Sequence, residues 1–267
     1  MPFTLAHPAA VFPLKRIKWL PLIPLIVGSM APDLAEFLPQ ALLERMPLSH
    51  SRPGLVVLDL PFGLVLVGLL VALQIPLTAP LWEPHRSFIR AAVKRLTVAS
   101  RWWLLTAAPA VFVGACTHLL WDSFTHRGHW VVRHFPFLQR PLTPDGEHIW
   151  EVFHVLQYLS SAFGLAVIAA WYVFELRKSG LVGTGRIWRK CLLGACVIAS
   201  LGIGVLVFSA QPNHETFSNY LTFSIVLECA MGAFALLYLA AGLVISATQA
   251  FTPSAKQSIR TGVEGSG

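Results

Sequence analysis

The hydrophobic positions come in long unbroken blocks. Residues 54–73, 102–121 and 191–209 are each close to the ~20 apolar residues that span a bilayer. A soluble fold of this size would have to interrupt such stretches, so burial in lipid is the simpler reading. Spans are predicted at 54–75, 102–122, 149–175, 190–209 and 218–246. They are predicted to be helices, because lipid leaves backbone groups no partner outside their own segment. An earlier block, 19–30, has only 12 residues and carries Pro21 and Pro24. It is expected either to span or to re-enter on the side it left. The fold class expected is therefore all-α, a polytopic transmembrane helical bundle of five long spans plus one short N-terminal segment.

Composition agrees with this picture. Hydrophobic residues make up 55% of the 267 and charged residues 12%, about half the charged share of a soluble domain. The net charge of +7 resides in the connections, where it sets topology rather than forming a nucleic-acid stripe. Nucleic acid is not an expected partner; membrane lipids are. Cys116, Cys191, Cys196 and Cys229 lie in apolar segments without a CxxC pair, which fits packing rather than a disulfide framework or a thiolate zinc site.

If block 19–30 crosses, the N-terminus, 82–101, 176–190 and the tail carry 15 basic residues and the alternate connections 5. The positive-inside rule then places both termini on the cytoplasmic side of the membrane. Residues 1–251 are expected to form one membrane domain, with a polar-site region at 1–175 and apolar scaffold helices at 176–251. The tail 252–267, rich in Ser, Gly and Thr, is expected to be disordered.

Chemistry concentrates at one predicted end. His118, Asp122 and His126 are spaced i, i+4, i+8. On a helix continuing through Thr125 they stack two imidazoles and a carboxylate on one face, as a divalent-metal site requires. The bland alternative is that Asp122 only fixes the two histidines by hydrogen bonds. The next span begins with Glu147, His148, Glu151 and His154, of which Glu147, Glu151 and His154 share a face. Asp33 ends the short segment, His50 lies in the connection after it, and Asp59 sits about 9 Å into the following helix. At that depth a carboxylate needs a partner. A simple crossing by 19–30 puts His7 on the side opposite Asp33, and a re-entrant segment removes the conflict. His85 and His214 are read as ordinary loop residues. Arg127, Arg133 and Arg140, with His129 and His134, make one connection cationic; Arg127 is the candidate substrate contact.

The stretches Met1-Pro2-Phe3-Thr4-Leu5-Ala6-His7-Pro8-Ala9-Ala10, Gly28-Ser29-Met30-Ala31-Pro32-Asp33, Ser49-His50-Ser51, Thr117-His118-Leu119-Leu120-Trp121-Asp122-Ser123-Phe124-Thr125-His126 and Gln157-Tyr158-Leu159-Ser160-Ser161 together resemble a bacterial membrane family of unknown function, domain of unknown function 4184, over residues 1 to about 175. The His and Asp pattern is more remotely similar to inner-membrane metal-dependent hydrolases, and its HxxxD element to zinc-dependent phospholipases C. Those resemblances imply a metal-assisted hydrolase.

The expectation carried forward is a divalent metal, zinc, bound by some of His7, Asp33, His50, His118, Asp122, His126 and His154. Glu151 or Asp59 is expected as the catalytic carboxylate, and a phospholipid or lipid-linked phosphate ester as the substrate. The alternative is a non-catalytic membrane protein whose polar cluster is a structural metal site or an ion or proton pathway.

Overall fold

The computed structural model describes residues 4–35, 50–98, 102–142, 150–183, 186–212 and 219–251. Among these residues the chain is all-α, the only extended feature being an isolated bridge between Pro141 and Glu151. Leu55–Ala72, Trp103–His134, Val152–Lys178, Ile187–Ser209 and Ile225–Gln249 are long and apolar enough to cross a membrane. They coincide with the five expected spans. Large apolar side chains on them face outward: Leu105, Phe163, Leu206 and Leu236 are 67%, 68%, 70% and 72% exposed. A soluble protein rarely tolerates that distribution, and lipid-facing helices require it. Glu147, His148, His214 and the tail 252–267 lie outside the described residues.

In chain order, a 3-10 helix, Thr4–Arg16, is followed by α1 (Leu22–Ala35), a π-helical turn (Leu55–Asp59) running into α2 (Leu60–Ala72), and α3 (Gln74–Thr78). Then come α4 (His85–Val98), α5 (Trp103–Thr125), the short α6 (Trp130–His134), a 3-10 turn (Pro136–Gln139), α7 (Val152–Lys178), α8 (Ile187–Ser209) and α9 (Asn219–Phe251). The contacts divide the chain into two compact units, residues 1–71 with 91–180, and residues 72–90 with 181–267.

In the first unit the N-terminal 3-10 helix folds back along α1. Pro8 and Pro13 lie inside it, and a proline withholds an amide donor and disfavours a regular α-helix. Val11 packs with Leu20, Leu25 and Ala110 in one buried cluster. The returning strand of this hairpin brings His7 to the Asp33 end of α1, while Lys15 reaches Glu175 near the end of α7, Nζ to Oε1 3.3 Å. With 14 residues, α1 rises about 21 Å, short of the ~30 Å hydrocarbon layer. The hairpin arrangement removes the conflict over His7 that a simple crossing poses.

Two glycines set how closely α1 and α5 approach. A Cβ added to Gly28 would lie 2.2 Å from the Val111 carbonyl oxygen, and one on Gly114 2.3 Å from that of Leu25. The backbones therefore meet directly, the small-residue contact by which membrane helices pack. On α7, Gly164 admits the N-terminal helix in the same way, with Ala6 O 2.9 Å from the position of a Cβ.

The second unit is built on α8 and α9, which pack through Gly204 against the Val226 backbone. Tyr238 on α9 donates to the Leu77 carbonyl oxygen at 2.8 Å. Arg189 donates to the carbonyls of Ala79 and Leu81. Glu228, the acidic residue within α9, is exposed.

The apolar-block reading missed α4. His85, expected in a loop, begins this helix. Arg86, Arg90 and Lys94 recur at i, i+4 and i+8 while Val93 and Leu96 are buried, the one-sided pattern of an amphipathic helix. Its low mean hydropathy hid it from a search for spans.

Candidate metal centre

Four segments of the first unit deliver the polar residues to one place. Asp33 sits in the last turn of α1, five residues beyond Gly28; His118 lies one turn beyond Gly114 on α5. The glycine contact thus places the two side by side. Asp122 follows His118 by one further turn. His50 enters from the segment before α2 with a left-handed backbone, φ 60°, which costs a residue with a Cβ about 1–2 kcal/mol and persists where surrounding contacts over-determine it.

Asp33, His50, His118 and Asp122 each offer one donor atom, all within 4.8 Å of one another. His50 Nε2 lies 3.2 Å from Asp33 Oδ1, 3.6 Å from Asp122 Oδ2 and 3.2 Å from His118 Nε2. His118 Nε2 lies 3.3 Å from Asp33 Oδ1 and 3.1 Å from Asp122 Oδ2. A tetrahedral ion with donors at about 2.0–2.1 Å holds neighbouring donors about 3.3–3.4 Å apart. The five distances, 3.1 to 3.6 Å, bracket that edge.

The tautomer of His118 sharpens the fit. Its Nδ1–H donates to the Ser29 carbonyl oxygen at 2.8 Å, so in the neutral ring Nε2 bears a lone pair. That lone pair faces two carboxylate oxygens and a second imidazole nitrogen in a site where His118, Asp122 and Asp33 are 0%, 2% and 6% exposed. Four converging donors with nothing positive between them repel; a cation relieves the repulsion, and a proton on His118 relieves part of it. A ligating histidine whose other ring nitrogen donates to a carbonyl is the arrangement that orients imidazole toward a metal.

His7 and His126 flank the four. His7 stacks on His118 with ring centroids 3.9 Å apart, and its Nε2 is 3.7 Å from Asp122 Oδ1 and 4.0 Å from Asp33 Oδ2. α5 ends at Thr125, and His126 is its extended C-cap residue rather than the next position on the helical face. Its Nδ1 still lies 3.3 Å from Asp122 Oδ1. The Gln157 amide donates to its Nε2 at 3.1 Å, a partner the sequence did not reveal.

Three expected site residues stand elsewhere. His154 is turned to the start of its own helix, where Nδ1 accepts the Glu151 amide at 3.1 Å and completes a capping box with the Glu151 side chain. Glu151 also pairs with Arg127. Asp59 is completely buried in the π-helical turn that packs on α1 and α5, within electrostatic reach of His50 and His118, yet neither carboxylate oxygen has a hydrogen-bond partner. The partner expected for it from sequence is not found among the described residues. His129 is not one of the four donors but stands within electrostatic reach of His50, His118 and Asp122, its ring centroid 5.6 Å from that of His126; the His134 Nδ1–H donates to the Trp130 carbonyl at 2.7 Å.

Apolar spans around a buried His and Asp cluster define the chain as a polytopic helical membrane protein with a group able to hold a metal ion. The chain belongs to the family described as domain of unknown function (DUF4184), whose model matches residues 1–247. No curated protein and no solved structure matches it.

Proposed function

We propose that Asp33, His50, His118 and Asp122 bind a divalent cation, zinc by donor type, and that the protein is a membrane-embedded hydrolase of a phospholipid or lipid-linked phosphate ester. The observation that carries the metal reading is the His118 geometry: a buried imidazole fixed by the Ser29 carbonyl, aiming Nε2 at two carboxylates and a second imidazole. Two carboxylates balance the charge of one divalent ion, and two imidazoles with two oxygens make a zinc donor set. Such an ion supplies Lewis acidity toward a phosphoryl or carbonyl oxygen and makes water nucleophilic at neutral pH.

The chain's own groups assign the remaining work. His50 and His126 are the outward edge of the cluster, with side chains 19% and 29% exposed, so a headgroup approaches past them. Arg127, next to His126 and 69% exposed, is placed to receive a phosphate oxygen by charge-assisted hydrogen bonds. Of the two carboxylates considered as bases, Glu151 is engaged by Arg127 and the helix cap. Asp59 has no hydrogen-bond partner among the described residues for either oxygen and is the better candidate to hold a proton released at the site.

Sidedness follows the positive-inside rule. Within the first unit, Lys15, Arg16, Arg177 and Lys178 gather at the end away from the cluster, so that end is assigned to the cytoplasm of a bacterial inner membrane and the cluster to the opposite face.

The test is elemental analysis of detergent-purified protein, then turnover of short-chain phospholipids in mixed micelles. Bound zinc lost in His118→Ala and Asp122→Asn at matched folding, with metal-dependent release of a phosphate or diacylglycerol product, is expected. Metal without turnover supports the non-catalytic reading, in which the ion is structural. No metal after reconstitution removes the hydrolase proposal altogether.

A further inference from the structure

Each of the two central carboxylates has a second oxygen turned away from the four-donor cluster. Asp33 Oδ1 and Asp122 Oδ2 meet His50 and His118. Asp33 Oδ2 lies instead 4.0 Å from His7 Nε2, and Asp122 Oδ1 lies 3.7 Å from His7 Nε2 and 3.3 Å from His126 Nδ1. Among the described residues Asp122 Oδ1 is buried without a hydrogen-bond partner, whereas the Asp33 carboxylate also receives a hydrogen bond from Thr4. The side chains of His7, Asp33 and Asp122 are 5%, 9% and 3% exposed, so bulk water does not satisfy Asp122 Oδ1.

We propose that the cluster is built for two divalent cations bridged by the carboxylates of Asp33 and Asp122, the second held by Asp33 Oδ2, Asp122 Oδ1, His7 Nε2 and His126 Nδ1. The proposal rests on the one-ion reading above, since the bridge has meaning only if Asp33 Oδ1 and Asp122 Oδ2 ligate the first ion. One ion accounts for one oxygen of each carboxylate and leaves Asp122 Oδ1 orphaned, at a cost of about 1–3 kcal/mol or more for a charged group. A second cation satisfies it. Donors about 2.1 Å from a common ion stand about 3.4–3.6 Å apart at angles of roughly 109–120°, and farther apart at wider angles. The 3.3, 3.7 and 4.0 Å distances therefore describe a somewhat open version of the same donor shell.

His126 needs one adjustment. Ligation through Nδ1 puts its proton on Nε2, so the Gln157 side chain presents its oxygen there instead of its nitrogen, a rotation of the amide that needs no backbone change. Gln157 on α7 then holds the ring toward Asp122, and the 3-10 helix holds His7 on the other flank. Two ions sharing bridging carboxylates form a clamp for both the attacking and the leaving oxygen of an in-line displacement. Such a clamp suits the phosphate ester proposed above.

The test titrates manganese(II) into metal-stripped protein in detergent, following bound metal per chain and the electron paramagnetic resonance spectrum. Two ions per chain are expected, with an exchange-coupled multiline signal growing at the second equivalent. In His7→Ala and His126→Ala the second ion is expected to weaken at least tenfold and the spectrum to revert to the uncoupled six-line form. Saturation at one ion with an uncoupled spectrum overturns the second site and leaves the first standing, whereas no bound ion overturns both. A coupled pair of unchanged affinity in both histidine variants overturns the ligand assignment. Should either variant fail to fold, wild-type stoichiometry and coupling still decide the number of ions.

Discussion

The His118 ring and the Ser29 carbonyl are joined by a 2.8 Å hydrogen bond across 89 residues of chain, and that bond is possible only because Gly28 and Gly114 let α1 and α5 touch backbone to backbone. Asp33 is positioned by the same crossing. Site geometry and helix packing are therefore one structural problem.

Gly28→Val is expected to separate the helices, since even a Cβ there would lie 2.2 Å from the Val111 carbonyl oxygen. Overpacking of this kind costs about 1–3 kcal/mol, and bound metal should fall with it because Asp33 and His118 move apart. Gly68→Ala is the control: nothing lies within 4 Å of a Cβ at that position. Thermal unfolding in detergent, paired with metal content, is the measurement. Equal behaviour of the two variants would falsify the role given to the α1 and α5 contact.

Asp59 invites the opposite result. Its carboxylate is 0% exposed and neither oxygen has a hydrogen-bond partner among the described residues, a burden that stability alone does not explain. Asp59→Asn removes the buried charge, so the protein is expected to gain about 1–2 kcal/mol, read as a rise of roughly 2–4 °C in Tm per kcal/mol. Metal content should be unchanged and turnover reduced. A loss of stability would overturn the reading of Asp59 as an unpaired buried carboxylate.

Arg127 and Glu151 should separate binding from folding. The Arg127 side chain is 69% exposed, and an exposed ion pair contributes about 0–1 kcal/mol. Glu151 also caps α7, where losing a capping side chain costs about 1 kcal/mol. Arg127→Ala is therefore expected to leave Tm nearly unchanged while raising KM for a phosphate ester about tenfold, the signature of lost uniform binding. Glu151→Ala should lower Tm with a smaller effect on KM. A KM unmoved by Arg127→Ala removes that residue from the proposed substrate contacts.

The five spans were legible because each is a continuous apolar block, and block length is a property of sequence alone. His118 and Asp122 were legible for a related reason, since i, i+4 spacing on a helix fixes a shared face without knowledge of the rest of the chain. Asp33, His50 and His7 were legible as candidates, but their meeting with His118 depends on a glycine-mediated crossing and on a left-handed residue at position 50. His154 shows the limit of face-sharing arguments: it shares a sequence neighbourhood with Glu151, yet its ring turns back to accept that residue's amide. The Ser29 carbonyl, a backbone atom, carried no signal, and Gln157 stood out only within the stretch Gln157-Tyr158-Leu159-Ser160-Ser161 of the family resemblance, where a neutral side chain on an apolar helix gave no hint of a site role.

The N-terminal hairpin makes a topological prediction that a simple crossing does not. Thr4–Arg16 returns along α1 so that His7 lies by Asp33 and Asp122, and Lys15 lies by Glu175 at the other end of the unit. Leu5, 53% exposed, should therefore be on the same side of the membrane as Gly128 and opposite Lys178. Single cysteines at Leu5, Gly128 and Lys178, introduced after replacing Cys116, Cys191, Cys196 and Cys229, can be labelled in intact cells with a membrane-impermeant maleimide. Labelling at Leu5 and Gly128 but not at Lys178 is expected, with the cluster facing away from the cytoplasm. Labelling at Gly128 without Leu5, where Leu5 reacts only after permeabilisation, would show that the short segment crosses and that His7 leaves the site in the membrane. In that case the second ion loses its ligand while the four donors around His118 remain.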